Sequence, residues 1–398
     1  MRISSLLLLL ASACGPLTPL LPDAGTGGGA GGAAGGVQGG GAAGGSAGGA
    51  SGGTGGGAAG GTGGTGGGTA GGAAGGTAGG TADAGLGSFT WSNLVAQPAP
   101  GSLTWAVTVA ARPGEAWVGM DSGKLYRSTG GPFTELTAFV LSGLTDLFVS
   151  SSGKVYAVAQ GRTAAHCLAA DCSTAGAFTT VMSATASTDS FRGLCGSGER
   201  VVAYGVRDTS TGVLYEFDGV GPWTKVSNNL GVSTPKDCAV GPAGEVYVIG
   251  DTGIVRYEGG ATTPEPIDLM GQPAATWQSI ALAVQGGVIV EAFAVGGGSG
   301  YRVARRNNQT ATWTSLPPNP GAGSTLNTVL ALRPSEFLAA GSGSTRFMAW
   351  NGAAWGPATP APPNTISSIR DAWATDEREV FLVGLDGASA YTIIRGRR

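Results

Sequence analysis

An aromatic or branched apolar residue marks a short strand seven times along this chain, at nearly constant spacing. The steps between successive marks are 42, 45, 45, 44, 46 and 42 residues. A repeat of about 40–50 residues filled with short strands is the sequence signature of a β-propeller. The sequence therefore predicts an all-β ring of seven blades, whose marks are Trp91, Phe133, Phe178, Trp223, Ile267, Trp313 and Trp355.

Each repeat is predicted to contain four strands, separated by turns rich in Gly, Pro, Asp and Asn. The second strand is the clearest copy, as in Glu115–Gly119, Glu245–Gly250, Glu336–Gly341 and Glu379–Gly384. A glycine at the end of this strand permits either a tight turn or the close approach of a neighbouring backbone. We expect the recurring glutamates to be structural.

The two ends of the repeat region complement each other. Seven outer strands are counted only if Trp91 is included, yet Trp91 precedes the first inner strand, and no outer strand follows Tyr391–Arg395. We therefore predict that Phe89–Val95 completes the last blade beside Tyr391–Arg395. This pairing closes the ring and removes an open sheet edge, so trimming either end should destabilise the whole ring.

The chain changes character twice before the repeats begin. Residues 1–13 contain a basic residue and then an apolar run that is too short to span a bilayer, which is typical of a bacterial export signal. Residues 14–87 are dominated by Gly, Ala, Thr and Ser, and such a tract behaves as a flexible coil. We expect a signal peptide over 1–13, a disordered tether over 14–87 and the propeller over 88–398.

Cys14 directly follows the small residues Ala11, Ser12 and Ala13. This arrangement resembles the lipobox of bacterial lipoproteins, in which the cysteine is acylated and becomes the first residue. The resemblance implies a lipid anchor on Cys14, and Gly15 in place of an aspartate points to the outer membrane or cell surface of a Gram-negative bacterium. The alternative is an ordinary Ala-x-Ala cleavage site that Cys14 follows by chance.

The other four cysteines are expected to form disulfides, since an even number in an exported chain favours pairing. Cys167 and Cys172 bracket a predicted hairpin turn, whereas Cys195 and Cys238 lie on the first strands of consecutive repeats. A metal site is the rival interpretation, but the only histidine, His166, adjoins Cys167, and no Cys-x-x-Cys occurs. We expect His166 on the surface, and neither a metal nor a cofactor.

Charge and histidine content exclude several classes of function. A formal net charge of −3 gives no indication of binding to nucleic acid or to an anionic membrane surface. A single histidine excludes most Ser–His–Asp, Cys–His and multi-histidine schemes. The basic clusters are predicted to be solvated, either on an outer strand or in the C-terminal tail, and comprise Arg302, Arg305, Arg306, Arg395, Arg397 and Arg398.

Polar residues recur at the start of the predicted inner strands, about eight or nine residues before each second strand. Because inner strands line the channel of a propeller, these side chains should ring one mouth and could bind a glycan, a peptide or Ca²⁺. The alternative is that the aspartates satisfy backbone groups in loops between blades, whereas Arg192 and Arg370 break the repeat. The candidates are Asp146, Arg192, Lys236, Asp237, Gln278, Asn327, Arg370 and Asp371.

The segments Ser128–Phe133, Asp218–Trp223 and Asn351–Trp355 resemble the WD-like, Kelch-like and Asp-box-like repeats of bacterial propellers. With the lipobox and the Gly-rich tether, the chain looks like cell-surface lipoproteins of myxobacteria and their relatives. The resemblance implies a location at the cell surface and a propeller fold, but no biochemical activity. We predict a monomeric, lipid-anchored, non-enzymatic binding or interaction module for a glycan or protein ligand. The alternatives are a polysaccharide-active hydrolase or lyase and a purely structural surface protein.

Overall fold

The computed structural model describes residues 88–94, 106–182, 188–219, 221–271, 275–298, 300–308, 310–317, 325–343, 347–363, 366–386 and 391–398. These residues form seven sheets of four or five strands, which confirms the predicted all-β, seven-bladed propeller. In these ranges no helix is long and apolar enough to cross a bilayer. The predicted signal peptide, Cys14 and the tether over 14–87 lie outside the described residues.

Each blade has an inner, a second, a third and an outer strand. Strand β1 is Thr90–Asn93. Blade 1 contains β2 (Ala106–Arg112), β3 (Glu115–Met120), β4 (Leu125–Ser128) and β5 (Thr134–Glu135). Blade 2 contains β6 (Leu144–Val149), β7 (Val155–Ala159), β8 (Thr163–Cys167) and β9 (Thr179–Met182). Blade 3 contains β10 (Asp189–Ser197), β11 (Arg200–Arg207), β12 (Thr211–Phe217) and β13 (Thr224–Ser227).

The remaining blades follow the same order with one addition. Blade 4 contains β14 (Pro235–Val240), β15 (Val246–Gly250), β16 (Gly253–Glu258) and β17 (Ala261–Glu265). Blade 5 contains β18 (Ile267–Asp268), β19 (Thr276–Gln285), β20 (Val288–Gly297), β21 (Arg302–Asn307) and β22 (Thr312–Ser315). Blade 6 contains β23 (Leu326–Arg333), β24 (Glu336–Gly341), β25 (Phe347–Trp350) and β26 (Trp355–Pro357). Blade 7 contains β27 (Ile366–Asp376), β28 (Glu379–Asp386), β29 (Tyr391–Arg397) and β1.

Blade 7 joins the two ends of the ring, as predicted. Strand β1 pairs antiparallel with β29, from Thr90 opposite Arg397 to Asn93 opposite Ile394. The indole of Trp91 donates a hydrogen bond to the Pro360 carbonyl oxygen at 2.9 Å. Predicted strand residue Val95 lies outside the described residues.

The hydrophobic core is divided among the junctions between blades. The described residues form seven buried apolar clusters, and each cluster combines side chains from two neighbouring blades. Phe293 of blade 5 and Phe337 of blade 6, for example, meet edge to face with ring centroids 4.7 Å apart. Because both faces of a blade contact a neighbour, second strands such as β3 are buried at every residue. No blade has a complete core of its own.

One of the seven sequence marks was assigned to the wrong blade. Ile267 was predicted to mark the outer strand of blade 4, but that strand is β17 and ends at Glu265. Ile267 instead pairs in parallel with Trp313, on the outer edge of blade 5. The chain therefore crosses to the next blade two residues earlier than the mark suggested.

The prediction that the basic clusters are solvated was wrong for several members. Arg395 is buried, and its Nε donates to Glu379 Oε1 at 2.7 Å. Arg306 is also buried, and its Nε lies 3.3 Å from Glu265 Oε2. Arg302 is buried too. Strand pairing brings Glu379 to Arg395 within blade 7, whereas Glu265 of blade 4 reaches Arg306 of blade 5 across the junction between blades. Glu379 thus has the structural role expected of it.

Both predicted disulfides are present. Cys167 pairs with Cys172 within blade 2, and Cys195 pairs with Cys238 across the inner strands of blades 3 and 4. Disulfides are typical of proteins in oxidising compartments outside the cytosol. The prediction of a surface histidine was wrong, because His166 is buried against the Phe217 ring, and this burial lowers its pKa.

Deletion of residues 88–94 should destabilise the whole ring. Strand β29 would lose its edge partner, and Phe89 and Trp91 would leave the cluster between blades 6 and 7. Loss of two large aromatic side chains from a core should lower the melting temperature by about 10 °C or more. Circular dichroism melting against a chain that begins at Ser88 tests this, and equal melting temperatures would show that β1 does not close the ring.

Candidate functional site

A one-residue bulge interrupts every inner strand near its start. In each blade the register between the inner and second strands shifts there, so one inner-strand residue has no partner on the second strand. A bulge redirects the side chains on either side of it. We call the bulged residues the rim layer, and they are Val107, Thr145, Arg192, Lys236, Gln278, Asn327 and Arg370.

The residue after each bulge begins a second layer, which we call the anchor layer. Its members are Thr108, Asp146, Gly193, Asp237, Ser279, Thr328 and Asp371. The eight candidates from the sequence thus divide between two layers with different surroundings. Five belong to the rim layer, and the three aspartates belong to the anchor layer.

Glycine at the end of the second strand makes room for the bulge. In blades 3 to 7 this glycine pairs with a residue just before the bulge, as Gly341 does with Leu326. A Cβ on Gly341 would lie 1.9 Å from the Thr325 carbonyl oxygen, and one on Gly384 would lie 2.0 Å from that of Ser368. Close approach of the inner-strand backbone is therefore the reason for this recurring residue.

All eight candidate residues line one cavity of about 510 Å³ in the central channel. Trp373, from the inner strand of blade 7, packs against the clusters between blades 7 and 1, 1 and 2, and 2 and 3. Its ring lies 5.8 Å from that of Phe148. The indole fills the side of the channel next to blades 1 to 3, so most of the lining comes from blades 3 to 7.

The aspartates of the anchor layer join neighbouring blades. Asp146 Oδ2 accepts a hydrogen bond from Leu194 N of blade 3 at 2.7 Å, and its Oδ1 accepts one from Thr108 Oγ1 of blade 1 at 2.8 Å. Asp371 Oδ2 accepts from Val109 N of blade 1 at 2.9 Å. These donors lie on inner strands, so the expected backbone contacts exist but are not in the loops between blades.

One carboxylate oxygen of Asp237, in blade 4, accepts two hydrogen bonds from blade 5. Its Oδ2 accepts from Ile280 N at 2.9 Å and from Ser279 Oγ at 2.7 Å. Its Oδ1 accepts from Cys238 N at 2.7 Å. Ser279 Oγ in turn accepts from Val329 N of blade 6 at 3.1 Å, so the junction between blades 5 and 6 is bonded at the same level.

The last two junctions use different groups. Asn327 Nδ2 donates to the Ile369 carbonyl oxygen at 2.7 Å, between blades 6 and 7. Blade 3 has glycine in the anchor layer, and a Cβ on Gly193 would lie 2.2 Å from the Tyr204 hydroxyl. That hydroxyl donates to the Lys236 carbonyl oxygen of blade 4. Because Gly193 has no side chain, Tyr204 fits beside it, and its hydroxyl supplies the hydrogen bond between blades 3 and 4.

Burial changes the protonation of the anchor layer. Desolvation raises the pKa of Asp237 to about 7. It also raises the pKa values of Asp146 and Asp371, and the negative charge of Asp371 raises that of Asp146 further. Both oxygens of each carboxyl group accept hydrogen bonds from the chain, so this layer has little capacity left for a ligand.

The rim layer is more open to solvent. The side chains of Arg192 and Arg370 are exposed, and Lys236 Nζ lies 3.7 Å from Asp251 Oδ1. These cations and the amide of Gln278 can donate hydrogen bonds to a polar ligand. No group of three or more His, Cys, Asp or Glu suited to a metal ion occurs in the described part of the chain.

Sequence reasoning missed Val107 and Thr145 of the rim layer, and Thr108, Gly193, Ser279, Thr328 and Tyr204 at the anchor level. A bulge has no residue signature of its own. The recurring second-strand glycine carried the signal, since it lies opposite the start of the bulge in blades 3 to 7. Aligning the repeats on that glycine would have shown which inner-strand residues belong to the rim layer and which to the anchor layer.

Asp237→Asn should destabilise the protein and remove part of its pH dependence. Asparagine replaces one of the two accepting carboxylate oxygens with an NH₂ group, which would face other donors. This mismatch should lower the free energy of unfolding by about 1–3 kcal/mol. The folded pKa of Asp237, about 7, exceeds its ordinary value of 3.8, so the unfolded chain releases this proton first. The contribution of Asp237 to stability therefore falls as pH rises from about 4 to about 7, and is constant above that range.

Urea unfolding of the parent and the variant between pH 4 and pH 8 measures this difference. The stability advantage of the parent should shrink up to about pH 7 and then level. Asp208→Asn, at an exposed turn, is the matched control. An advantage that stays constant across the range would contradict the assignment.

No family model and no curated protein matches this chain. Among solved structures, it is similar to virginiamycin B lyase from Staphylococcus aureus, with 13% identity, TM-score 0.57, and coverage of 78% of this chain and 99% of that one. It is also similar to YCF48 bound to a D1 peptide, with 12% identity, TM-score 0.56, and coverage of 79% of this chain and 98% of that one. For the WD40 propeller domain of Doa1 the identity is 12% and the TM-score 0.53, and the match covers 77% of this chain and 97% of that one. At such identities the likeness shows the β-propeller fold alone.

Proposed function

We propose that this propeller is a non-enzymatic recognition module whose ligand binds at the channel mouth formed by the rim layer. The observation that carries the proposal is that the anchor level, together with Asn327 of the rim layer, bonds the blades to one another. Every junction between blades is bonded by Thr108, the anchor-layer aspartates, Ser279, Asn327 or Tyr204. The charged side chains of Arg192, Lys236 and Arg370 are not among the groups that make these bonds.

The surroundings of the mouth support this role. Polar side chains, of which Arg192 and Arg370 are exposed, line a cavity of about 510 Å³, a size usual for ligand sites. YCF48, which has a similar fold, binds a peptide, and virginiamycin B lyase has the same general shape. A binding module and a lyase are both compatible with the scaffold, so the choice depends on the site.

Replacing Arg192 and Arg370 with alanine should weaken ligand binding by about tenfold or more, since charge-assisted hydrogen bonds are the strong ones. The ligand would be identified on peptide and glycan arrays and its affinity measured with the full-length protein. Both arginines are exposed, so the melting temperature should stay unchanged. Arg378→Ala, at the opposite end of the inner strand of blade 7, is the control, and a double variant that binds as well as the parent would exclude the mouth.

A polysaccharide-active hydrolase or lyase is the second candidate. Asp146 and Asp371 line the cavity with raised pKa values, as a general acid requires, although both carboxyl groups accept hydrogen bonds from inner strands. The parent and Asp146→Asn would be screened for cleavage of cell-wall and extracellular sugars. Cleavage that is lost in the variant would favour the enzyme, whereas a structural surface protein would neither cleave nor bind at the mouth.

We further propose that Cys14 is acylated and anchors the protein at the outer membrane or cell surface of a Gram-negative bacterium, with residues 14–87 as the tether. The lipobox resemblance and the two disulfides support an exported location. Labelling cells with an alkyne fatty acid should mark the full-length chain in the outer-membrane fraction. The label should disappear in Cys14→Ser, and a label that persists in this variant would contradict the assignment.

A further inference from the structure

The charged side chains of the rim layer have one sign. Arg192, Lys236 and Arg370 are cationic, whereas the other four members are two amides, one hydroxyl and one valine. The whole chain, in contrast, has a formal net charge of −3. The rim layer itself thus carries only positive charge, in a chain that is slightly acidic as a whole.

The carboxylates beneath the rim are engaged by donors of the chain itself. Asp146, Asp237 and Asp371 direct both oxygens at N–H and O–H donors of the chain. Their raised pKa values also reduce the negative charge of that layer near neutral pH. Asp251 lies 3.7 Å from Lys236, but both side chains are partly exposed, and such pairs contribute little.

The positions of the cations indicate the shape of the ligand. Arg192 and Lys236 lie on adjacent blades, whereas Arg370 lies three blades further round the ring. Cations on two sides of an opening suit a chain with several anionic groups better than one small ion. Below the rim, the side chains of Leu194, Leu330 and Trp373 contribute apolar surface to a cavity whose lining is mostly polar, so an apolar side chain can pack against them.

This lining favours a peptide over an acidic glycan. Sugar rings are commonly bound by stacking on accessible aromatic faces. The aromatic side chains of this cavity are Tyr204, which is buried, and Trp373, which packs against three core clusters. An acidic peptide offers carboxylates for the rim and an apolar side chain for the wall.

We infer that the channel mouth binds an acidic peptide segment, with aspartate or glutamate carboxylates on Arg192, Lys236 and Arg370 and an apolar side chain in the cavity below. The inference rests on the proposed function, because it names the ligand class of the same site. Its partner is therefore a protein or peptide with an exposed acidic stretch.

Selection of random dodecapeptides displayed on phage against the full-length protein tests the inference. Peptides bound by the parent should be enriched in Asp and Glu beside an apolar residue. Synthetic copies should bind Arg192→Glu/Arg370→Glu about 100-fold more weakly, because like charges then face each other. Arg192→Lys/Arg370→Lys should retain most of the affinity, Arg378→Glu should retain all of it, and added salt should weaken binding.

The outcomes separate this inference from the proposed function. Neutral peptides that lose binding in Arg192→Ala/Arg370→Ala would overturn the acidic ligand but leave the mouth as the site. Peptides that bind the charge-reversed variant as well as the parent would overturn both. A selection that enriches no acidic peptide, or yields no binder while polygalacturonate binds at the mouth, would overturn the peptide class.

Discussion

The inner-strand bulge is the constraint on which the rest of this ring depends. By adding one residue without a partner, it brings two successive side chains to the channel in each blade. The first is available to solvent, as at Arg192 and Arg370, and the second level bonds the neighbouring blade. One backbone irregularity, repeated seven times, therefore provides both the joints of the ring and the chemistry of its mouth.

Typical free energies show how much the hydrogen bonds between blades contribute to stability. A hydrogen bond between blades adds about 1 kcal/mol net, whereas burial of one large apolar side chain contributes about 1.5–3 kcal/mol. Every junction cluster contains at least ten buried residues, so apolar packing supplies most of the attraction between blades. The anchor layer mainly fixes the spacing and angle of the inner strands, because an unpaired buried carboxyl group would be costly.

The period of the marks was enough to predict the blade count and the closing of the ring by a strand within Phe89–Val95, and the number and positions of the cysteines predicted both disulfides. These features follow from strand patterning and from the need to close the ring. The burial of Arg395 and His166 was not predictable in this way, because their partners lie on other strands whose register the sequence does not give. Sequence reasoning also predicted eight residues that line the cavity, but it could not divide them between rim and anchor layers, since that division comes from the bulge.

The cross-blade disulfide lies at an informative junction. Blades 3 and 4 are the pair where the anchor position is Gly193, so the inner strand itself offers no side chain to its neighbour and a tyrosine from the second strand acts instead. Cys195 and Cys238 bridge the same two inner strands. In a reducing environment this seam would keep its apolar cluster and the hydrogen bonds from Tyr204 to the Lys236 carbonyl oxygen, from Arg200 to the Gly244 carbonyl oxygen and from Tyr257 to the Val226 carbonyl oxygen. Loss of the covalent bond would therefore leave this junction joined by hydrogen bonds and apolar packing, as the other six junctions are.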